Sequence, residues 1–237
     1  MDAQIVLEDN LLKAFYQFKH GEASDVKLVA QLLTYYKPHL TCVAQLKRIG
    51  ISEATLLQQL AASGWVGQTV EELAQRTSLK LILSSNQSDF PYVNVTGSDV
   101  IEPNYTGTFK NVPRQKAIAH IKALCQAAKS IYIYDPYLKN YQERATQMIM
   151  DGVFSLLPMS IFTVFCDEGS FVQSTKSEWK RRNCQLTFKN TDSSSSYRGM
   201  HDRYLIIDRK VEVIMSSGFD YLFDTNRDFT YVVRLLK

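Results

Sequence analysis

The chain has 237 residues, with 27 Lys and Arg against 24 Asp and Glu, a formal net charge of +3. That surplus is too small for bulk charge to drive binding to nucleic acid or to a membrane, so any such binding rests on a local patch. A hydrophobic share of 45% with 22% charged residues excludes a disordered chain and fits a folded protein with one large domain or two small ones.

Residues 1–76 read as helical. Ile5, Leu11, Leu12 and Phe15 fall near helical spacing and predict a first helix over 2–18, ended by Gly21. Ser24 caps a second through Tyr36, stopped before Pro38, and a third runs over 39–48 to Gly50. Ser52 caps a fourth that ends near Gly64, and Thr69 caps a short one through Arg76. The spacing gives a helical docking region over 1–76, without repeats, open to a protein partner.

Over 77–112 the pattern predicts a strand pair and a linker. Residues 79–84 form one strand and 92–95 its partner, across a polar loop with turn chemistry. Residues 96–112 carry Gly, Pro and Asn with little periodicity, and the domain boundary belongs there.

Over 113–237 helices and strands alternate. The expected order is a helix over 113–129, a strand Ser130–Tyr134, a helix over 140–152, a strand over 160–166, a helix to about Arg182 and a strand over 184–189. A serine-rich loop over 190–199 follows, then a strand pair, Arg203–Ile207 and Val211–Met215, and a last strand, Phe229–Leu235. This order favours an α/β sandwich with a mixed sheet.

The densest chemistry lies in His201-Asp202-Arg203, with Asp208 five residues beyond the arginine. On a strand, His201 and Arg203 share a face. An imidazole beside a guanidinium suits a phosphate: the histidine attacks phosphorus and the arginine pairs with two oxygens. Asp208 orients a histidine if the fold returns it to the site or a second copy supplies it. Ser216-Ser217-Gly218-Phe219-Asp220-Tyr221 follows as a turn.

This pattern resembles the phospholipase D superfamily signature His-x-Lys-x4-Asp, with Arg203 in the lysine's place. It is most similar to the divergent His-Asp-Arg branch, the C-terminal phospholipase D-like domain of proteins with a microtubule-interacting-and-transport module. Gly218, Asp220 and Tyr221 keep the register of that branch, while Ser216 departs from its first glycine. The resemblance spans 113–237 and implies a phospholipase D-like α/β sandwich. It also implies chemistry without a metal or cofactor, in which two motifs meet, one histidine forming a phosphohistidine and the other protonating the leaving oxygen. The chain holds one motif, since none of His20, His39 and His120 has the matching spacing; a complete site then requires a homodimer. The eukaryotic members of the branch bind phosphoinositides without catalysis.

Beside His201, Arg203 and Asp208 as the catalytic set, the candidate substrate-binding residues are Ser216, Ser217, Asp220, Asp135, Tyr137, Lys180, Arg181 and Arg182. Asp135-Pro136-Tyr137 ends a strand, where open α/β sheets build sites; a helix cap is the alternative role for Asp135. Tyr132, Tyr134, Tyr137 and Tyr141 are dense, and an exposed Tyr137 or Tyr141 would stack on a base. Lys176, Lys180, Arg181 and Arg182, with Lys189, Arg198, Arg209 and Lys210, form a basic rim for a polyanion or complement a helix dipole.

Four separated cysteines, Cys42, Cys125, Cys166 and Cys184, lack Cys-x-x-Cys spacing, which argues against zinc; three of them lie in apolar runs and read as buried free thiols, as a reducing cytoplasm fits. No apolar run has transmembrane length, and the acidic start is not that of a signal peptide. The favoured reading is a metal-independent, homodimeric phosphodiesterase, with a nuclease as its main case. The alternative is a non-catalytic phosphate-recognition module for nucleic acid or an anionic lipid headgroup. By analogy, the chain also fits a subunit of a bacterial phage-defence assembly.

Overall fold

The computed structural model describes residues 3–22, 25–97, 106–135, 152, 155–156, 161–165, 177, 180–181, 185–189 and 195–236. The chain divides into two units, Met1–Pro103 and Asn104–Lys237.

The first unit corrects the all-helical expectation. Ile5, Val6 and Leu7 are fully buried and form strand β1 (Ile5–Leu7), not the start of a helix. A strand buried on both faces reads as an unbroken apolar run, so three such residues carry no period. Around it come α1 (Asp9–Lys19), α2 (Val26–Tyr35), β2 (His39–Leu40), α3 (Val43–Arg48), α4 (Ala54–Ala62), α5 (Val70–Ala74), β3 (Leu81–Ser84) and β4 (Tyr92–Asn94). The strands form one parallel sheet in the order β2-β1-β3-β4. The third expected helix therefore loses its beginning to β2.

The pair β3 and β4 is parallel, not a hairpin, and belongs to this sheet instead of a linker region. Helices α3 to α5 lie between β2 and β3 in the chain, as parallel neighbours of β1 require a crossover. Val6, Cys42, Leu73, Ala74 and Ile82 form a buried cluster, with Trp65 packed against it. Two helix starts are set by local caps. Asp25 accepts from Leu28 N at the head of α2. Thr69 and Glu72 exchange side-chain and backbone bonds at the head of α5.

The second unit is a seven-stranded mixed sheet with helices. Its elements are β5 (Thr106–Phe109), α6 (Gln115–Cys125), β6 (Ser130–Tyr134), β7 (Ile161–Phe165), β8 (Thr187–Lys189), β9 (Arg203–Ile207), β10 (Val211–Met215), α7 (Phe219–Phe223) and β11 (Phe229–Leu235). The order is β5-β11-β10-β9-β6-β7-β8. The run β6, β7, β8 is parallel, and the run β6, β9, β10, β11, β5 is antiparallel. β5, expected within a linker, is the edge strand beside β11.

Side chains of Ile131, Ile133, Leu205, Ile207, Val211, Val213, Met215, Tyr231 and Val233 are buried. Strand alternation and the registers place them on one face. α6 is tied to β11 by a 3.0 Å hydrogen bond between His120 Nδ1 and Tyr231 Oη, both buried. Cys42 and Cys125 are buried free thiols. Among the described residues no helix is long and apolar enough to cross a membrane.

Candidate functional site

Three neighbouring strands of the second sheet end together. β6 releases Asp135 after Tyr134. β9 starts at Arg203, two residues after His201. β10 ends at Met215 and turns through Ser216, Ser217 and Gly218 into α7. The antiparallel registers align these ends, with Tyr134 opposite Tyr204 and Met215 opposite Arg203.

Arg203 is at the centre, its side chain 16% exposed. Its Nε lies 3.6 Å from Oδ1 of Asp135, which is fully buried at 0%. Its Nη1 donates to the carbonyls of His201 at 3.2 Å and Ser216 at 3.5 Å. A guanidinium fixed by a carboxylate and two carbonyls has a set orientation, which is what pairing with an anion requires of it. His201 is exposed on the bend just before β9. The structure thus brings His201, Arg203, Asp135 and the Ser216 turn together.

Asp208 is not with them. It lies beyond the other end of β9, about 16 Å of extended chain from Arg203. There its Oδ1 accepts from the backbone amides of Lys129 at 2.8 Å and Ser130 at 2.7 Å. Its own amide donates to Ser130 O at 2.9 Å. Asp208 and Arg209 have φ of 50° and 54°, and Lys210 N donates to Ile207 O at 2.9 Å. Both positive φ values and that closing bond are those of a tight hairpin turn, which aspartate tolerates in the left-handed region. Asp208 is therefore a turn and strand-start residue in this chain. It does not orient His201 of its own chain.

Ser216 is also placed differently from the expectation of an anion donor. Its amide and its hydroxyl both donate to Thr230 O, at 3.0 and 3.3 Å, so it ties β10 to β11. Ser217 is half-buried in the same turn. Asp220 stands in the first turn of α7, with its Oδ1 out of reach of solvent and without a hydrogen-bond partner among the described residues. Burial pushes its carboxyl up; amides of its own turn and the charges of Arg203 and Arg227 oppose that shift.

The basic rim divides. Arg209 and Lys210 sit in the hairpin turn with Asp208, at the end of the sheet away from His201. Arg209 covers the ring of Tyr132 at 5.5 Å and donates to its hydroxyl at 3.2 Å. Lys180 and Arg181 are helical and exposed, and Lys189 ends β8 opposite Phe165. Tyr137, Tyr141, Lys176, Arg182 and the body of the expected 140–152 helix lie outside the described residues. Tyr134 is stacked between Phe165 at 4.3 Å and Tyr197 at 4.4 Å.

Three supporting residues escaped the sequence reading. Arg114, 2% exposed, donates to the carbonyls of Asp224 and Arg227, and its guanidinium covers Phe109 and Phe229 at 5.6 and 5.8 Å. It thereby fixes the α7–β11 loop that carries Arg227. Arg227 donates to Tyr221 Oη at 2.6 Å and pairs with Asp224 at 3.4 Å. Buried Glu212 accepts from Tyr197 Oη at 2.8 Å and pairs with Arg234 across the strands. Only Glu212 left a signal in the sequence, a charged residue within the apolar run of β10; Arg114 and Arg227 lie outside the strands and left none. Among the described residues no group of three or more His, Cys, Asp and Glu is placed to hold a metal ion.

No family model matches the chain, and no curated protein matches it. Among solved structures it is similar to Nuc, a phospholipase D family member from Salmonella typhimurium. The identity is 13% and the TM-score 0.33, over 54% of this chain and 80% of that one.

Proposed function

We propose that the chain is a metal-independent phosphodiesterase, with a nuclease as its main form, acting through His201 in a site completed by a second copy. The observation that carries this is the Arg203 guanidinium held by Asp135 and by the carbonyls of His201 and Ser216, where three strands end together. Arg203 seats the phosphate and draws charge from its oxygens. An imidazole nitrogen of His201 forms a bond to phosphorus as the bond to the leaving oxygen breaks. The second copy's histidine gives that oxygen its proton. Water then displaces the histidine nitrogen from phosphorus, returning the proton to the second histidine and leaving a phosphomonoester. The resemblance to the phospholipase D signature supports these roles, while that to the His-Asp-Arg branch supports phosphate binding more firmly than hydrolysis.

One observation favours a second reading, a phosphate-recognition module without chemistry. The site already sets a buried carboxylate, Asp135, against its arginine, and Asp208 is engaged elsewhere. In that reading the ligand is nucleic acid or an anionic headgroup. The first unit, with its own sheet and core, serves in either reading as the docking element for a protein partner.

The test is cleavage of an activated phosphodiester in excess chelator, paired with sedimentation. The expected result is a dimer whose activity survives chelation and is lost in His201→Ala. A fully active monomer contradicts the shared site, and undiminished cleavage by His201→Ala contradicts the nucleophile.

A further inference from the structure

We propose that Arg227 is a second anion seat beside the first, taking a further phosphate of the same strand whose phosphate rests on Arg203, so that the ligand class is a polynucleotide. This rests on the reading that Arg203 seats a phosphodiester, and deepens it by naming the polymer.

Arg227 stands at the same end of the second sheet as Arg203. Arg203 opens β9 opposite Met215 of β10, and Met215 lies opposite Tyr231 of β11. β11 begins at Phe229, two residues after Arg227. Ser216 links the two sides: its carbonyl accepts from Arg203, and its amide donates to Thr230 O. β9 and β11 are two strand spacings apart, about 10 Å. A few nucleotides of a single strand bridge such a gap.

The Arg227 side chain is open and yet oriented. It is 56% exposed. Its Nη1 donates to Tyr221 Oη at 2.6 Å, its guanidinium carbon lies 4.8 Å from the centre of that ring, and its Nε is 3.4 Å from Asp224. These contacts take Nη1 and Nε and leave Nη2 to a ligand. Asp224 also accepts from the amide of Asn226 at 3.0 Å, which shapes the loop around Arg227. Exposed ion pairs add little stability. A fork already fixed, however, pairs with phosphate at a smaller entropic cost than a mobile one.

Arg114 shows what the fold spends on this loop. At 2% exposure it gives Nη2 to the carbonyls of Asp224 and Arg227, while its Nε and Nη1 have no hydrogen-bond partner among the described residues. Burying a cation with unpaired donors is unfavourable. What it secures is the backbone that presents Arg227. Asp224 and Asp228 lie near that buried charge and offset it. The charge of the chain is divided in the same sense: bases outnumber acids in the second unit, and acids outnumber bases in the first. A membrane surface attracts flexible clusters of Lys and Arg. Two arginines held at a set separation suit phosphates that a polymer holds at set intervals.

The test is calorimetry of the full chain with thymidylyl-thymidine, a single phosphodiester, and with an oligothymidylate of about eight nucleotides, across a range of salt. The native chain should prefer the longer ligand. In Arg227→Gln the ratio of the two affinities should fall about tenfold, and the salt slope for the oligothymidylate should flatten by about 0.7. Arg227→Lys, which keeps the charge without the fork, should keep the slope and lose part of the affinity. An Arg227→Gln chain with native affinity ratio and slope overturns the proposal, as does an equal loss on both ligands. If the glutamine variant is unstable, an Arg227→Lys chain of native affinity overturns it instead. Vesicles of phosphatidylcholine and phosphatidylserine in equal parts give the competing arm: a loss in Arg227→Gln confined to vesicle binding also overturns it. Arg203→Ala separates the two levels. If that variant binds both nucleotides normally, the seating of phosphate on Arg203 falls and the inference with it. If it loses both while Arg227→Gln binds as the native chain does, the inference alone falls.

Discussion

Replacing Asp208 separates a structural role from a catalytic one. Its Oδ1 accepts two backbone amides, one exposed and one part-buried, at the start of β6. Its backbone is left-handed at φ 50°. Removing the carboxylate forfeits two charge-assisted bonds and places alanine in a conformation it disfavours, for a loss of about 3–4 kcal/mol. Asparagine keeps one acceptor and tolerates positive φ, so Asp208→Asn should lose only about 1 kcal/mol. For a unit of this size that corresponds to a fall in Tm of about 10 °C for alanine and about 3 °C for asparagine. The assay is thermal unfolding by circular dichroism, joined to hydrogen exchange at the amides of Lys129 and Ser130, which should exchange faster in the alanine variant. Below the melting transition, both variants should keep native affinity for a phosphodiester, because Arg203 and His201 stand at the other end of β9. An Asp208→Ala variant with native stability but lost binding would refute this reasoning and return Asp208 to the site.

Arg203→Ala should abolish binding of a phosphodiester, whereas Arg203→Lys should retain or raise cleavage if the site is catalytic and only weaken binding if it is not; rate and affinity measured side by side distinguish these. Charge reversal of Lys180, Arg181 and Arg182 together should weaken polyanion binding and flatten its salt dependence without unfolding the chain; unchanged affinity at low salt would remove these residues from the interface. In the first unit, burial and the charge of Lys19 push His39 down to about 4. The unfolded chain takes up that proton near pH 6.5 and the folded chain does not. Stability is therefore complete above about pH 6.5 and falls by roughly 2–3 kcal/mol as the pH drops toward about 4. Urea midpoints across that range should show the slope in the native chain and not in His39→Gln; an equal slope in both would place the acid sensitivity elsewhere.

The second unit was largely legible. β6, β9, β10 and β11 fall on the expected residues: β6 and β11 alternate buried and part-exposed positions, and β9 and β10 are short apolar runs bounded by turns. The first unit was not. β1 and β2 offer three and two residues to a parallel sheet, too few for any period, and the helices around them dominate the pattern. β3 and β4 pair in parallel although a short polar loop joins them, an outcome that no local turn signal reveals. In the site, Arg203 begins the expected strand, whereas His201 lies on the bend before it and meets Arg203 through its carbonyl, outside the strand alternation expected for it. The fate of Asp208 was not legible, because a spacing does not say that a strand of five residues carries its two ends apart. Asp220 was visible as a residue of the turn, but the closing of its Oδ1 from solvent in the first turn of α7 was not.

The central claim is that His201 becomes covalently joined to phosphorus. The direct measurement is peptide mass spectrometry, with phosphorus NMR, on protein mixed with an activated phosphodiester in chelator and quenched at alkaline pH. The account requires a phosphoryl adduct on His201 in the native chain, absent in His201→Ala and in Arg203→Ala. Turnover of the diester with no adduct on His201, and with His201→Ala as active as the native chain, would contradict it.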